Sequence, residues 1–227
     1  MKGLEGDRLV IFGVSNILSD LLDCALALRL RVGKVVIHQP EKPGERDLPV
    51  ADRIEAYSRL AEPPVLQEFE AFAPENGELY LLGPTSPHRR GLAAILRDRF
   101  GLDFTTLVHP RAYVSPMASL AGGVFVGANS VIAPGALLAE HVFINRGVTI
   151  GHDTRVGAYS RVQPGSNLGG LTTIGEGVTV GLGATLLERL QIGNRSVIAG
   201  GSVVLHDVPE DVLVAGVPAV VKKRLTA

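Results

Sequence analysis

The sequence has little cysteine, no tryptophan and no excess of either charge. Cys24 is the only cysteine among 227 residues, so an internal disulfide is excluded and a reducing compartment is expected. The 22 basic and 23 acidic residues give a formal net charge of −1, which provides no electrostatic basis for binding nucleic acid or an anionic membrane. The basic residues cluster only at Lys222, Lys223 and Arg224.

Long apolar runs are also absent. No stretch approaches the roughly 18 uninterrupted apolar residues of a membrane-spanning helix, and the N-terminus lacks the pattern of a signal peptide. We therefore expect a cytoplasmic protein without a membrane span. Cys24 lies in the apolar run 21–26, which favours a buried structural thiol over a reactive one.

What the sequence does contain is an aliphatic residue at every sixth position over a long stretch. The series is Val114, Leu120, Val126, Ile132, Leu138, Ile144, Ile150, Val156, Val162, Leu168, Ile174, Val180, Leu186, Ile192, Ile198 and Val204. A small or β-branched residue follows most of them by four positions. A period of six fits neither a helix nor plain strand alternation, but it is typical of short strands joined by tight turns around a three-sided coil.

The hexads predict the size and interior of this coil. Three hexads make one coil, and at the spacing of neighbouring strands five coils rise about 25 Å. The aliphatic side chains are expected to point inward and to stack from coil to coil. Glycine and asparagine are expected at the corners, where a positive φ costs them little. These residues are Gly122, Gly123, Asn129, Gly135, Gly177, Gly183, Asn194, Gly200 and Gly201.

Residues 1–106 precede the coil and predict a separate α/β domain, so the coil domain and its tail occupy 107–227. The predicted elements are a strand at 8–13, a helix at 17–31, a strand at 34–38, a helix at 51–61, a strand at 79–83 and a helix at 88–100. The opening β-α-β unit indicates a small Rossmann-like domain.

Two sequence segments, one in the coil and one after it, resemble the hexapeptide-repeat acyltransferases. One is Ile144-Asn145-Arg146-Gly147-Val148-Thr149-Ile150-Gly151-His152-Asp153, and the other is the ending Gly216-Val217-Pro218-Ala219. The resemblance implies a left-handed parallel β-helix, acetyl-CoA as co-substrate, no metal, and a homotrimer that holds the coenzyme between adjacent prisms.

The order of the two domains narrows the resemblance. A Rossmann-like domain followed by an uninterrupted coil is similar to the sialic-acid O-acetyltransferases and nucleotide-sugar N-acetyltransferases. This implies an acetyltransferase acting on a sugar or nucleotide sugar in surface-glycan biosynthesis.

His152 is the candidate general base. Acetyl transfer from a thioester requires a group that takes a proton from the attacking amine or hydroxyl, and an imidazole titrates in the suitable range. The resemblance assigns that role to His152, with Asp153 sharpening its basicity. Asn145, about one hexad earlier, joins them as a candidate catalytic residue.

The resemblance also implies residues that bind the coenzyme. Gly170 aligns with a glycine whose N–H meets the acetyl carbonyl, a position that requires a donor aimed at developing negative charge. Leu182 and Gly200 align with positions that line the pantetheine arm. Arg161 stands where some relatives have a second histidine, and an arginine there could reach a coenzyme phosphate.

The turn after the first predicted strand supplies the candidate acceptor-binding residues Gly13, Ser15 and Asn16. Relatives usually have a richer glycine turn and acidic residues after the second strand, whereas this chain has His38 and Gln39. A single glycine is a weak nucleotide fingerprint. The identity of the acceptor and the choice between nitrogen and oxygen therefore stay open.

Two other functions share the predicted coil. A γ-type carbonic anhydrase binds zinc through three histidines, two of them five positions apart, but His141 and His152 are eleven apart. The second alternative is a non-catalytic trimeric scaffold or binding protein.

Overall fold

The computed structural model describes residues 7–41, 44 and 46–225, which form two compact units. The N-terminal unit comprises the chain up to Thr85 together with Gly91–Thr105. The coil unit comprises Ser86–Arg90 and the chain from Thr106 onward.

The N-terminal unit contains a four-stranded parallel sheet. Its elements are β1 (Arg8–Phe12), α1 (Leu18–Ala27), β2 (Arg31–Ile37), α2 (Val50–Ser58), β3 (Val65–Glu68), a 3₁₀ turn (Phe69–Ala71), β4 (Glu78–Leu82) and α3 (Arg89–Phe100). The strand order is β3-β2-β1-β4. Strand β1 lies inside the sheet, and its residues Leu9 to Phe12 are fully buried. The chain leaves β1 toward β2 on one side and β4 lies on the other, which creates a topological switch point at the carboxyl end of β1.

Two features of this sheet differ from the sequence-based expectation. Helix α1 ends at Ala27 rather than at residue 31, because Arg29 adopts a φ of 55° and Arg31 already begins β2. Strand β3 was not predicted at all. It is a four-residue edge strand whose side chains are mostly exposed, so it has no buried face to produce a hydrophobic pattern.

The coil unit winds short strands into three parallel sheets. Its strands are β5 (Leu107–Val108), β6 (Tyr113–Val114), β7 (Ser119–Leu120), β8 (Phe125–Val126), β9 (Val131–Ile132), β10 (Leu137–Leu138), β11 (Phe143–Ile144), β12 (Thr149–Ile150), β13 (Arg155–Val156), β14 (Arg161–Val162), β15 (Asn167–Leu168), β16 (Thr173–Ile174), β17 (Thr179–Val180), β18 (Thr185–Leu186), β19 (Gln191–Ile192), β20 (Val197–Ile198) and β21 (Val203–Val204). From β5 to β18 each strand pairs with the one three strands later, at a register of 18 residues, as in Thr149 with Asn167. Three hexads therefore make one coil, as the period predicted.

The three sheets are the faces of the coil, and each is named by the number of strands that it contains. The six-stranded face runs from β6 to β21, the five-stranded face from β7 to β19, and the eight-stranded face begins at β5. The eight-stranded face ends in β22 (Val212–Gly216) and the antiparallel β23 (Ala219–Arg224), which are joined through a cis Val217–Pro218 bond.

The aliphatic series fills the interior, as predicted. From Val126 to Val204 each member is at most 3% exposed, whereas Val114 and Leu120 at the start of the coil are half-buried and pack against this core. Burial of each such side chain contributes roughly 1.5–3 kcal/mol.

The residues four positions after each member of the aliphatic series also point inward, and several of them carry hydroxyl groups. The Thr154 hydroxyl donates to the Gly169 carbonyl at 3.0 Å, and those of Ser160 and Ser166 donate to carbonyls 15 residues further on at 2.8 Å. These bonds remove the cost of burying the hydroxyl groups.

The corners repeat with the same period. A residue with positive φ stands at every sixth position from 123 to 201, and seven of these residues are not glycine. From His141 onward, the backbone N–H of each of these corner residues donates to the carbonyl 19 residues earlier, as the N–H of Asp153 does to the Pro134 carbonyl at 3.0 Å. Among the corner residues predicted from the sequence, Gly122, Asn194 and Gly200 lack the positive φ.

Among the residues that the structure describes, no helix combines the length and the apolar character needed to cross a membrane.

Candidate active site

His152 and Asp153 form the turn between β12 and β13, at the corner where the six-stranded face meets the five-stranded face. Ile150 before the turn and Thr154 after it are buried in the coil. Both ends of the turn are thereby fixed, while the side chains of His152 and Asp153 project outward, 61% and 58% exposed.

The two side chains are in direct contact. Nδ1 of His152 lies 2.9 Å from Oδ2 of Asp153. A carboxylate only accepts hydrogen bonds, so Nδ1 carries the proton of this contact and the lone pair of the neutral ring is on Nε2. Asp153 has a φ of 55°, a conformation that aspartate tolerates better than most residues.

Two glycines, one coil away on either side, leave room for this pair. A Cβ on Gly170 would stand 2.6 Å from Nε2 of His152, and a Cβ on Gly135 would stand 2.2 Å from Oδ1 of Asp153. Within the described chain the Gly170 N–H makes no hydrogen bond. The corner therefore combines a basic ring nitrogen with a backbone donor beside it.

The other candidate catalytic residue, Asn145, lies at a different corner. It precedes β12, where the eight-stranded face meets the six-stranded face, and it is 5% exposed. Its Oδ1 accepts from the Arg146 N–H at 2.8 Å, and its amide nitrogen donates to Gln163 at 3.3 Å. Within one chain the structure therefore does not bring Asn145 to His152.

Leu182 and Gly200 share the corner of Asn145. Leu182 is 63% exposed, and a Cβ on Gly200 would stand 3.1 Å from the Leu182 carbonyl oxygen in the neighbouring coil. Arg161 is on β14 of the eight-stranded face, which in a three-sided coil lies opposite the corner of His152. Of the predicted coenzyme-binding residues, only Gly170 is beside His152 within one chain.

The predicted acceptor-binding residues do lie together, at the carboxyl end of β1. The Ser15 hydroxyl donates to the Gly83 carbonyl at 2.9 Å, directly after β4. Asn16 donates from its side-chain amide to Oδ1 of Asp47 at 2.7 Å. Gly13 is buried in the same turn.

Three further residues, His38, Arg53 and Asp47, contact Gly13 or Asn16 and were not identified as site residues from the sequence. The His38 ring packs against Gly13, where a Cβ would stand 2.9 Å from its Nδ1, and burial lowers the pKa of His38. Arg53 donates to the carbonyl and the side-chain oxygen of Asn16, both at 3.1 Å. The Gly44 N–H, with the Asn16 amide, lowers the pKa of Asp47. His38 directly follows β2, Asp47 lies in the loop before α2 and Arg53 is on α2, so these contacts join separate elements and leave no local signal in the sequence.

No cluster of three or more metal-ligating side chains occurs within the described ranges.

The proteins that this chain resembles by sequence match only part of it, whereas solved structures match almost all of it. No family model matches the chain. The serine acetyltransferase of Buchnera aphidicola is 30% identical over 141 residues, which cover 61% of this chain and 46% of that protein. The chain spans less than half the length of the curated relatives that it first matches.

Two solved structures match almost end to end. A mutant of perosamine N-acetyltransferase from Caulobacter crescentus, crystallised with CoA and GDP-perosamine, has 27% identity and a TM-score of 0.82, with 95% of this chain and 97% of that chain covered. The acetyltransferase domain of PglB from Neisseria gonorrhoeae, in complex with acetyl coenzyme A, has 25% identity and a TM-score of 0.78 over 97% of this chain and 100% of that one. The predicted fold class, a small Rossmann-like domain followed by a left-handed parallel β-helix, is confirmed.

Proposed function

We propose that this chain is a hexapeptide-repeat acyltransferase that transfers an acetyl group from acetyl-CoA to an amino or hydroxyl group of a sugar or nucleotide sugar. The observation that carries the proposal is the contact between His152 and Asp153 at an exposed corner of the β-helix, with Nε2 facing Gly170. The two solved acetyltransferases that share nearly the whole fold support the same chemistry.

His152 is the general base of this reaction. Its Nε2 takes the proton from the acceptor amine or hydroxyl as that group attacks the carbonyl carbon of the acetyl thioester. The carbon–sulfur bond then breaks, and the leaving thiolate receives the proton back from the imidazolium. Asp153 holds the ring through Nδ1 and stabilises its charged form. The coil unit contains no cysteine, so no acyl-cysteine precedes the transfer.

Gly170 supports the developing negative charge. Its N–H has no partner in the described chain, and it lies beside the ring that positions the acceptor. A fixed backbone donor stabilises an oxyanion without the reorganisation that water would need.

The coenzyme fits the exposed corners of the coil. The apolar Leu182 side chain with Gly200 above it offers a surface for the pantetheine arm, and Lys222, Lys223 and Arg224 on the exposed strand β23 offer positive charge for phosphates. The supply of acetyl-CoA is consistent with a cytoplasmic location, which we include in the proposal.

The domain at 1–106 binds the acceptor. Gly13, Ser15 and Asn16 lie at the carboxyl ends of parallel strands, where doubly wound sheets bind their ligands. The relative crystallised with GDP-perosamine favours a nucleotide sugar as the acceptor, as in surface-glycan biosynthesis.

A homotrimer completes the site. Within one chain the six-stranded face separates His152 from Leu182 and Gly200, so both groups can line one groove only when corners of two chains meet. This face exposes Tyr113 and Val131, 57% and 41% accessible, which gives it apolar surface to bury against another copy.

Replacement of His152 by alanine tests the proposal. A thermal-shift screen of nucleotide sugars in the presence of acetyl-CoA first identifies the acceptor, because a ligand that binds only the folded protein raises its melting temperature. Steady-state kinetics should then show that His152→Ala lowers turnover about 10²–10⁴-fold, the usual contribution of a positioned base. Affinity for acetyl-CoA, measured by calorimetry, should stay near that of the wild type.

Near-normal turnover in His152→Ala would contradict this assignment. If the wild-type chain binds acetyl-CoA but acetylates none of the acceptors that bind, the result favours the scaffold instead.

A further inference from the structure

Arg161 is a half-buried cation on the eight-stranded face of the coil. Its Nε donates to the Thr179 hydroxyl oxygen at 3.1 Å. Within the described part of the chain no carboxylate forms an ion pair with Arg161, and its Nη1 and Nη2 groups donate to no described atom. Four N–H bonds of a planar fork are therefore available to a ligand.

Arg89 brings a second guanidinium to the same place. It lies in the segment Ser86–Arg90, which is part of the coil unit, and it is 4% exposed. Its Nη2 donates to the Ser160 carbonyl at 3.3 Å and to the His141 carbonyl. Because Ser160 directly precedes Arg161, the two arginines are neighbours on this face.

The surroundings penalise the two positive charges, so an anion that pairs with them would be stabilised. Phe143 pairs with Arg161 in the neighbouring strand and is 5% exposed, and its ring stacks on Phe125 at 4.9 Å. An apolar wall of this kind lowers the local dielectric constant. Burial and the nearby Arg161 lower the pKa of Arg89 to about 9, and burial lowers that of Arg161.

We propose that Arg161 and Arg89, with the Thr179 hydroxyl, form a binding site for a phosphate-type oxyanion on the face opposite the His152 corner. A dianionic phosphate relieves the repulsion between two guanidinium groups more fully than a carboxylate does. Its oxygens match the fork of Arg161, and the Thr179 hydroxyl proton is a further donor. The site does not depend on acetyl transfer.

Phosphate binding to the purified wild-type protein tests this site. Calorimetric titration at constant ionic strength, without acetyl-CoA, uses three separate ligands: inorganic phosphate, adenosine 3′,5′-bisphosphate and a nucleoside diphosphate. Arg161→Gln is compared with Arg155→Gln, because Arg155 stands at the same position of the adjacent hexad but is exposed on the five-stranded face. Should Arg161→Gln fail to fold, Arg161→Lys keeps the charge without the fork.

We expect one site per chain that depends on Arg161, with binding weakened about tenfold or more in Arg161→Gln and unchanged in Arg155→Gln. The ligand whose binding Arg161→Gln weakens most identifies whether the phosphate comes from solution, from the coenzyme end or from a nucleotide. Equal affinities in all three proteins, or no saturable phosphate binding to the wild type up to about 10 mM, would overturn the proposal.

Discussion

At the scale of single residues, the candidate site depends on a separation of one coil. His152 and Gly170 are 18 residues apart and therefore stack at one corner, whereas Asn145 is seven residues from His152 and falls at another. The identity of the histidine and its neighbouring aspartate could be inferred from the sequence, because the pair is adjacent along the chain. Three hexads make one coil, so residues about six positions apart lie at neighbouring corners, and Asn145 therefore lies at a different corner from His152. The hexad period contains this information, whereas the residue types alone do not.

Gly170→Ala is predicted to impair turnover without unfolding the protein. The new Cβ would stand 2.6 Å from Nε2 of His152, so the imidazole must move away from its contact with Asp153. A displacement of about 1 Å at a catalytic group can lower the rate on the order of 100-fold. The measurement is kcat with the acceptor found by the screen, together with the melting temperature.

Gly91→Ala is the matched control for that change. Gly91 is exposed in α3 and a Cβ there would meet nothing within 4 Å, so activity should be unchanged and stability equal or higher. Wild-type kcat in Gly170→Ala would show that the ring position seen here is not the one used in the reaction.

At the scale of elements, alternation between inward and outward side chains determines whether the coil forms. Ile150→Asp should prevent folding, because an unpaired carboxylate in this interior costs several kcal/mol against a total stability of about 5–15 kcal/mol. Thr149→Asp, one position earlier and exposed, should fold normally. Size-exclusion chromatography and far-ultraviolet circular dichroism distinguish the outcomes, and a folded, soluble Ile150→Asp would contradict the inward register.

The corners offer a second test at this scale. Arg189 is exposed and has a φ of 66°, which costs a side chain about 1–2 kcal/mol, so Arg189→Gly should stabilise the protein by about 0.5–1 kcal/mol after the entropy cost of glycine. Arg155→Gly, in the extended strand β13, should instead destabilise it by about 0.5–1 kcal/mol. Urea denaturation measures both, and a destabilising Arg189→Gly would show that this corner is not strained.

At the scale of the whole molecule, the proposed trimer predicts that two defective chains complement each other. His152→Ala and Leu182→Arg should each give inactive oligomers. In mixed oligomers, a groove between an intact His152 and an intact Leu182 from different chains should restore about one third of the sites in trimers that contain both chains.

Coexpression with two affinity tags isolates these mixed oligomers for kinetic measurement. Activity no greater than the sum of the two homomers would mean that each site is built from one chain. Sedimentation of the wild type as an active monomer would contradict the trimer itself.

The sequence by itself determined the coil, its interior and the location of the candidate base. Each short strand contributes one aliphatic residue to the core, so a local period of six specifies the inward face without reference to distant residues. The same hexads predicted the aliphatic series from Val114 to Val204 as core; its members from Val126 onward are buried, and Val114 and Leu120 are half-buried.

Only the tertiary structure decided which distant side chains meet. The end of α1 at Ala27 depends on a left-handed residue, the edge strand β3 has no buried face, and His38 contacts Gly13 only because β1 and β2 lie side by side. The proximity of Arg89 to Arg161 likewise joins segments more than 70 residues apart. Such contacts leave no periodic trace in the sequence, because they depend on how separate elements pack rather than on how any one of them folds.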